Sequence, residues 1–174
     1  MEIINIKVGY LRANCYLVIN NNKLLIIDPG SEFEKIDSTI KELKAKPVGI
    51  IVTHNHFDHV GEVDKFKEKY DLDVCSYYNK IFFNDFNYEI IDTKGHTSDS
   101  ITIYFKEDNT MFTGDFLFKE TIGRTDLDTG SDIEMNKSLN LIKKYPISTK
   151  IYPGHGNSTT LENELKNNIY LSKN

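Results

Sequence analysis

Three of the chain's five histidines lie within six positions, in the segment THNHFDHVG (53–61). His54 and His56 are two residues apart, so an extended backbone would direct both side chains to the same side, and Asp58 continues that alternation. His59 would point elsewhere and is available to a second set of ligands. Neutral imidazole is the commonest protein ligand for zinc and related metals. The segment therefore predicts a metal site with two divergent sets of ligands.

The other two histidines lie in similar short segments farther along the chain. His96 is in GHTSDS and His155 is in YPGHG, each at a predicted strand end. Asp115 ends the segment FTGD, and its two carboxylate oxygens can bridge two cations. Five histidines and two aspartates give each of two metals four protein ligands if one aspartate is shared. This count predicts a two-metal site with room for a bridging water or hydroxide.

A closed structural zinc site explains the same residues less well. Structural zinc takes four ligands, usually including Cys, in a tetrahedron. Seven candidates are too many for one such site, and neither Cys15 nor Cys75 is among them. These two cysteines are far apart and form no CxxC pair, which favours reduced thiols and a buried, unreactive Cys15.

The segments THNHFDHVG, GHTSDS, TGD, GRTD and PGHG, in this order, resemble the metallo-β-lactamase superfamily, and within it the glyoxalase II-like hydrolases. The resemblance covers the chain from NCYLV and IDPG to PGHG. It implies an α/β (α+β) fold, a four-layer αββα sandwich with the metals at one edge of the two sheets. The ligands that it implies are His54, His56 and His96 for the first metal, Asp58, His59 and His155 for the second, and Asp115 as the bridge.

Several residues beside these ligands admit two interpretations each. The resemblance implies that Asp28, in IDPG, supports the site through hydrogen bonds to ligands, but it is also a plausible turn residue. Arg124 of GRTD either contacts an anionic part of the substrate or forms a salt bridge with Asp126 or Asp128 that holds its loop. The threonines that flank ligands either orient them or reflect strand preference alone; they are Thr53, Thr97 and Thr113.

The resemblance implies a metal-dependent hydrolase of a small acyl-thioester such as S-lactoylglutathione, in which a metal-bridging hydroxide attacks the carbonyl. Asp58 and Asp115 are the predicted catalytic residues, with Asp58 orienting the hydroxide. Zinc is the expected metal, iron and manganese are alternatives, and no organic cofactor is indicated. One alternative function is a mononuclear iron persulfide dioxygenase, which would use His54, His56 or His96 with Asp115 and leave the second site empty. The other is a hydrolase of another small ester or lactone.

Departures from related families narrow the prediction. Flavodiiron oxygen reductases have Glu where His56 stands, and many zinc β-lactamases have Cys where Asp115 stands, which disfavours penicillin-type substrates. Two-domain glyoxalase II enzymes add a helical C-terminal domain that grips glutathione. Only 19 residues follow His155 in this 174-residue chain (174 − 155). The short, single-domain members are therefore the closer match, and one domain is expected over 1–174.

The elements that must position these residues are strands alternating with helices. Strands are predicted at 2–8, 15–19, 23–28, 48–53, 100–105 and 110–115, and in parts of DVCSYY and NYEIIDT; the segment 150–156 is predicted as a strand that runs into a loop. Helices are predicted at 31–45 and 59–70, with two more after 131 and 159. Capping boxes are expected at the three pairs Ser31/Glu34, Ser131/Glu134 and Thr159/Glu162. Such an order favours mixed sheets with helices packed on their faces.

Composition limits the partners. A formal net charge of −5 argues against nucleic acid, whose phosphates require a basic surface. The apolar runs are too short to span a bilayer, and the start of the chain does not resemble a signal peptide. We therefore expect a cytoplasmic protein that acts on a small molecule without nucleic acid or membrane partners. The sequence does not indicate an oligomeric state.

Overall fold

The structure is a computed structural model that describes residues 1–172. The chain forms two compact units, which divide between Asn87 and Tyr88. Each unit contains one five-stranded sheet and its own helices. The expectation of one domain over 1–174 remains a prediction, and its last two residues lie outside the described part.

The sheet of the first unit has the strand order β1-β2-β3-β4-β5. Its strands are β1 Glu2–Val8, β2 Ala13–Asn20, β3 Lys23–Ile27, β4 Lys46–Ile51 and β5 Val74–Cys75. The first three pair antiparallel, whereas β3, β4 and β5 run parallel. The predicted hairpin over 15–28 is confirmed, with Asn21 and Asn22 in its turn at positive φ.

The core of this unit is built from apolar side chains of the sheet and of the helices packed on it. Leu17, Leu24, Ile26 and Ile50 are buried without measurable exposure. Cys15 joins the same cluster as a free, fully buried thiol, and burial raises the pKa of that thiol far above its usual range. Cys15 is therefore a packing residue, as expected.

The helices of the first unit are α1 Phe33–Leu43, α2 Phe57–Val60 and α3 Val63–Tyr70. The capping box predicted at Ser31 is wrong, because Glu32 occupies the cap position in a left-handed conformation and makes no side-chain cap. The single helix predicted over 59–70 is also wrong. The chain breaks at Gly61 and Glu62, where the Glu62 amide donates to the Pro29 carbonyl over 2.9 Å instead of continuing the helix.

The second unit contains a sheet of order β12-β11-β8-β7-β6 and a small hairpin of β9 with β10. The sheet strands are β6 Glu89–Asp92, β7 Ile101–Phe105, β8 Thr110–Gly114, β11 Lys150–Pro153 and β12 Thr159–Thr160. The hairpin consists of β9 Leu117–Phe118 and β10 Thr121–Ile122. Strands β8 and β11 run parallel, and the other sheet pairs are antiparallel.

The helices of the second unit are α4 Asp132–Ile142, α5 Leu161–Asn167 and α6 Ile169–Ser172. The predicted Ser131 cap is confirmed, since its hydroxyl accepts from the Glu134 amide over 3.3 Å. The third cap lies one residue later than predicted, at Thr160, which accepts from the Asn163 amide. None of the helices in residues 1–172 has the length and hydrophobicity needed to cross a bilayer.

Candidate metal centre

The predicted ligands of the first unit follow the carboxyl end of β4, beside that of β3. These strands pair in parallel with Ile27 opposite Ile51, so their ends meet at one edge of the sheet. The Asp28 amide donates to the Ile51 carbonyl over 3.0 Å, which extends the pairing past the end of β3. The polar residues after the two strands, Asp28 and Thr53, are thereby brought side by side.

Asp28 organises this edge through a buried carboxylate, with the residue only 1% exposed. Its Oδ1 accepts from the Thr53 amide over 2.8 Å, and its Oδ2 accepts from Thr53 Oγ1 over 2.6 Å. Oδ2 also lies 3.0 Å from His59 Nδ1. Asp28 therefore makes the contact expected of a residue that supports the predicted ligand His59, and its positive φ of 52° shows that it shapes the turn as well.

These contacts fix which nitrogen of each imidazole is protonated. A carboxylate only accepts, so His59 Nδ1 carries its proton and leaves the Nε2 lone pair for a metal. The Thr53 hydroxyl donates its hydrogen bond to Asp28, so at 3.2 Å Thr53 Oγ1 accepts from His54 Nδ1. His54 thereby also presents Nε2. One ring nitrogen of His54 lies within 4.8 Å of one in His56 and of one in His59.

Asp58 and His59 lie in the short helix α2, and His56 precedes it in extended conformation. The alternation predicted from His54 through Asp58 is therefore wrong beyond His56, because the backbone turns helical. Within α2, Asp58 Oδ2 lies 3.6 Å from His59 Nε2. A Cβ at Gly30 would overlap the Asp58 carbonyl oxygen, so glycine there lets α2 approach the turn that contains Asp28.

The second unit repeats this arrangement on β8 and β11, which are also parallel. Asp115 follows β8, and His155 follows β11 one residue beyond Gly154. The Gly154 amide donates to the Gly114 carbonyl over 2.8 Å, so the two strand ends stay paired. His96, 3% exposed, comes from the loop between β6 and β7.

Asp115 lies between two histidines in this unit. Its Oδ2 is 3.6 Å from His96 Nε2 and 3.5 Å from His155 Nε2. Metal–ligand bonds of about 2.1 Å at a tetrahedral angle place two ligand atoms of one ion about 3.4 Å apart. Both separations match that value and exceed a charge-assisted hydrogen bond, so the geometry suits a carboxylate oxygen that shares metal ions with two imidazoles.

One supporting group was not found from the sequence. His96 Nδ1 lies 2.7 Å from the Arg124 carbonyl oxygen, which only accepts, so His96 also presents Nε2. Gly123 makes this possible, because a Cβ there would overlap the Asp115 carbonyl oxygen and lie 3.1 Å from His96 Cγ. The glycine of GRTD was the available signal in the sequence.

The side chain of Arg124 forms the salt bridge that the sequence offered as an alternative. Its Nε and its Nη2 each donate to a carboxylate oxygen of Asp126 over 2.7 Å. The two hydrogen bonds that Arg124 donates lower the pKa of Asp126 to about 2, and the same bonds raise the pKa of Arg124. Both side chains are more than 60% exposed, so the pair shapes the loop and adds little stability.

Of the three threonines that flank predicted ligands, Thr53 contacts the ring of one. Thr97 Oγ1 lies 2.7 Å from Ser100 Oγ, and Thr113 Oγ1 donates to the Leu117 carbonyl over 2.8 Å. These two hydroxyls stabilise the loops that contain the ligands. Of the three, Thr53 makes the contact expected of a residue that orients a predicted ligand, His54.

The donor set fits a divalent transition metal, because it consists of imidazole and carboxylate groups without thiolate. Three histidines, His54, His59 and His96, present Nε2 through a hydrogen bond at Nδ1. Such bonds are the usual support of metal-bound histidine. Each unit thus contains part of a metal-binding set, and the assignment of all seven residues to one centre remains a prediction.

Comparison with known proteins identifies the family. The metallo-beta-lactamase superfamily model matches residues 8–84 and 79–155. The chain is 30% identical over 210 residues to hydroxyacylglutathione hydrolase GloC of Haemophilus influenzae, with 99% of each chain covered.

Two solved structures extend the comparison. The B3 metallo-beta-lactamase BLEG-1 matches with a TM-score of 0.92 at 27% identity, covering 98% of this chain and 100% of the other. TTHA1623, solved in a di-iron-bound form, matches with a TM-score of 0.89 at 29% identity, covering 97% and 100%. The predicted metallo-β-lactamase fold is confirmed. The chain belongs to the metallo-β-lactamase superfamily of metal-dependent hydrolases.

Proposed function

We propose that this chain hydrolyses a small acyl-thioester of the S-lactoylglutathione type at a centre of two divalent metal ions. The observation that carries the proposal is the position of Asp115 Oδ2, 3.6 Å from His96 Nε2 and 3.5 Å from His155 Nε2. Similarity to a hydroxyacylglutathione hydrolase over the whole length of both chains supports the substrate class. Similarity to a protein crystallised with two irons supports the metal count.

The proposed centre uses all seven residues that the sequence singled out. Asp115 would be shared by the two ions, and each ion would take three further ligands. Those of the first ion are His54, His56 and His96, and those of the second are Asp58, His59 and His155. Zinc is the proposed metal, and iron and manganese are compatible with the same donors.

Two bound ions would supply Lewis acidity and would lower the pKa of a water between them to about 7. The chain's own groups prepare the site for this. Asp58 holds Oδ2 toward His59 Nε2 at 3.6 Å, and its other oxygen is proposed to accept a hydrogen bond from the attacking water. Asp28 keeps His59 in the tautomer that binds metal, and the Arg124 carbonyl does the same for His96. No serine or cysteine nucleophile is required.

Metal content and turnover together test this function. Purified protein would be analysed for its metals and assayed with S-lactoylglutathione, other acyl-thiols, a simple ester, a lactone and a β-lactam. We expect about two metals per chain and the highest kcat/KM with a thioester. One iron per chain with oxygen uptake on a persulfide would instead establish the dioxygenase alternative, and preference for a lactone or β-lactam would contradict the thioester.

Replacement of Asp58 tests the catalytic assignment. Asp58→Asn keeps the side-chain shape and removes the charge, so turnover should fall by at least 100-fold, within the range of ~10²–10⁴ for a positioned acid–base group. Asp64→Asn is the matched control, because Asp64 is an exposed aspartate of the next helix. Full turnover by metal-loaded Asp58→Asn protein would refute the role of Asp58.

A further inference from the structure

A cleft of about 450 Å³ opens in the second unit, apart from the predicted ligands. It lies where β11 and β12 pair and where the chain leaves β9. Its lining is polar and comes from three separate segments. The lining residues are Lys119, Lys150, Tyr152, Ser158, Thr159, Thr160 and Asn163.

The charge of this cleft is entirely positive. Lys119 and Lys150 are its only charged lining residues, and both are exposed. Within residues 1–172, neither ammonium group has a carboxylate close enough for an ion pair. Three other clefts of the molecule combine lysines with acidic residues in their linings. Two unneutralised lysines beside hydroxyl groups favour an anionic ligand.

The cleft wall is held in place by a buried carboxylate behind it. Glu164 is fully buried, and its Oε1 accepts from Thr159 Oγ1 over 2.7 Å and from Asn163 Nδ2 over 2.9 Å. Its Oε2 accepts from the Glu120 amide over 2.7 Å and from Asn168 Nδ2 over 2.8 Å. Both oxygens are satisfied by internal donors, so Glu164 orders the wall from behind.

Two of the segments that enter the cleft start from predicted metal ligands. Lys119 is four residues after Asp115, and Ser158 is three residues after His155. At 3.8 Å per residue, Lys119 Cα is at most about 15 Å from Asp115 Cα, and Ser158 Cα is at most about 11 Å from His155 Cα. An extended tripeptide spans about 10 Å. Lys150 begins β11, five residues before His155, so its Cα lies at most about 19 Å from His155 Cα. A thiol carrier that reaches both lysines from the reacting carbonyl is therefore an extended one, longer than a tripeptide.

We propose that this cleft binds the anionic part of the thiol carrier of the substrate, through Lys119 and Lys150. The ligand chemistry is a carboxylate or a phosphate on a flexible thiol. The identity of that ligand rests on the proposed thioester hydrolysis, whereas the anion site itself rests on the cleft.

Binding measurements with two anionic probes test the site directly. Calorimetry would compare S-methylglutathione, which carries carboxylates, with coenzyme A, which carries phosphates. We expect Lys119→Gln/Lys150→Gln protein to bind the preferred probe at least tenfold more weakly than wild type. The control is Lys106→Gln/Lys144→Gln, which removes the same charge from exposed lysines outside the lining and should bind as wild type. The preferred probe identifies the anion as carboxylate or phosphate.

Equal affinities of the wild type and the Lys119→Gln/Lys150→Gln variant, or binding of neither probe by the wild type, would overturn the proposal. Hydrolysis assays with thioesters of glutathione, coenzyme A and uncharged N-acetylcysteamine then distinguish failure of the anion site from failure of the proposed function. The variant should raise KM for the anionic carrier without changing kcat/KM for N-acetylcysteamine thioesters. Lysine-dependent binding without hydrolysis of any thioester would refute the proposed function but would still support the anion site. Hydrolysis of the anionic thioesters with the same KM in the variant and the wild type would refute the anion site but would still support the proposed function.

Discussion

The support that Asp28 gives to His59 makes Asp28→Asn an informative substitution. Asparagine tolerates the positive φ of 52° at this position, so the backbone is not strained. The carboxylate, however, only accepts hydrogen bonds, whereas the amide must also donate. If the amide nitrogen takes the place of Oδ1, it meets the Thr53 N–H, and two donors face each other at 2.8 Å. If it takes the place of Oδ2, it meets Thr53 Oγ1 and His59 Nδ1.

The second orientation should prevail, because the Thr53 hydroxyl can rotate to accept and His59 can change tautomer, whereas the Thr53 N–H can only donate. The imidazole then accepts at Nδ1 and carries its proton on Nε2, the atom needed for metal. Loss of such a support typically weakens metal affinity by about 10–100-fold. Removing one bond to a charged acceptor and leaving the others weaker should lower the free energy of unfolding by about 3 kcal/mol. For a chain of this size that is about 6–12 °C in Tm.

Zinc titration against a chromogenic chelator would measure the affinity, and urea unfolding of metal-free protein would measure the stability. Asp37→Asn is the control for a general effect of losing a buried carboxylate. Asp37 contacts Lys41 and Lys69 over 2.7 Å and Tyr70 over 2.6 Å, and it binds no predicted ligand. Its loss should destabilise the fold without changing zinc affinity. A folded Asp28→Asn protein that binds zinc as tightly as wild type would show that the Asp28 contact does not set the tautomer.

Three further outcomes are expected. Burial raises the pKa of Asp37, but hydrogen bonds from two lysines and a tyrosine lower it more, to about 2, which is below the unfolded value of about 3.9. The ionised Asp37 therefore stabilises the fold above pH 4, by about 1–2 kcal/mol after allowing for the exposed lysines, and this stabilisation is lost as the pH falls to 2. The Tm difference between wild type and Asp37→Asn should shrink over that range. Gly123→Ala should reduce zinc affinity at least tenfold, measured by chelator competition, because the new Cβ displaces either the Asp115 carbonyl or the His96 ring; unchanged affinity would contradict the close approach. Glu164→Ala removes the acceptor of four buried or partly buried donors, of which the Asn163 and Asn168 amides keep a second acceptor. It should lower the urea-unfolding free energy by about 2–4 kcal/mol; a loss below 1 kcal/mol would show that the carboxylate is not a structural centre.

The strands that position the site were predictable because their patterns are strong. The run KLLII is buried at four of five positions in β3, and GII forms the buried end of β4. KLLII is followed directly by Asp28, and GII is followed by Val52 and then by Thr53 and His54, so polar residues mark both strand ends. Parallel pairing then brings those ends to one edge. The sequence could therefore indicate which residues lead the ligand sets before any distance was known.

The helices near the ligands were harder to predict, because local signals there compete with tertiary contacts. A Ser at 31 followed by Glu34 matches a capping box, yet Glu32 is held elsewhere, since its carboxylate accepts from the Gly9 amide over 3.0 Å. The apolar spacing from Val60 to Tyr70 suggests one helix, but the Glu62 amide pairs with the Pro29 carbonyl. Both partners are more than 20 residues away in the sequence, so no local window contains them.

Backbone groups explain the rest of what the sequence did not reveal. The Nδ1 partner of His59 is a side chain, and Asp28 could be proposed from its residue type. The Nδ1 partner of His96 is the Arg124 carbonyl, a group that every residue has, so the identity of residue 124 contains no information about it. What the role requires is close approach, and that requirement falls on the neighbouring position, where only glycine avoids the Asp115 carbonyl. The Arg124 side chain, the conspicuous feature of GRTD, binds Asp126 instead. Substitutions of Arg124 that preserve the loop should therefore leave the His96 ring in place, whereas a single methyl group at residue 123 should not.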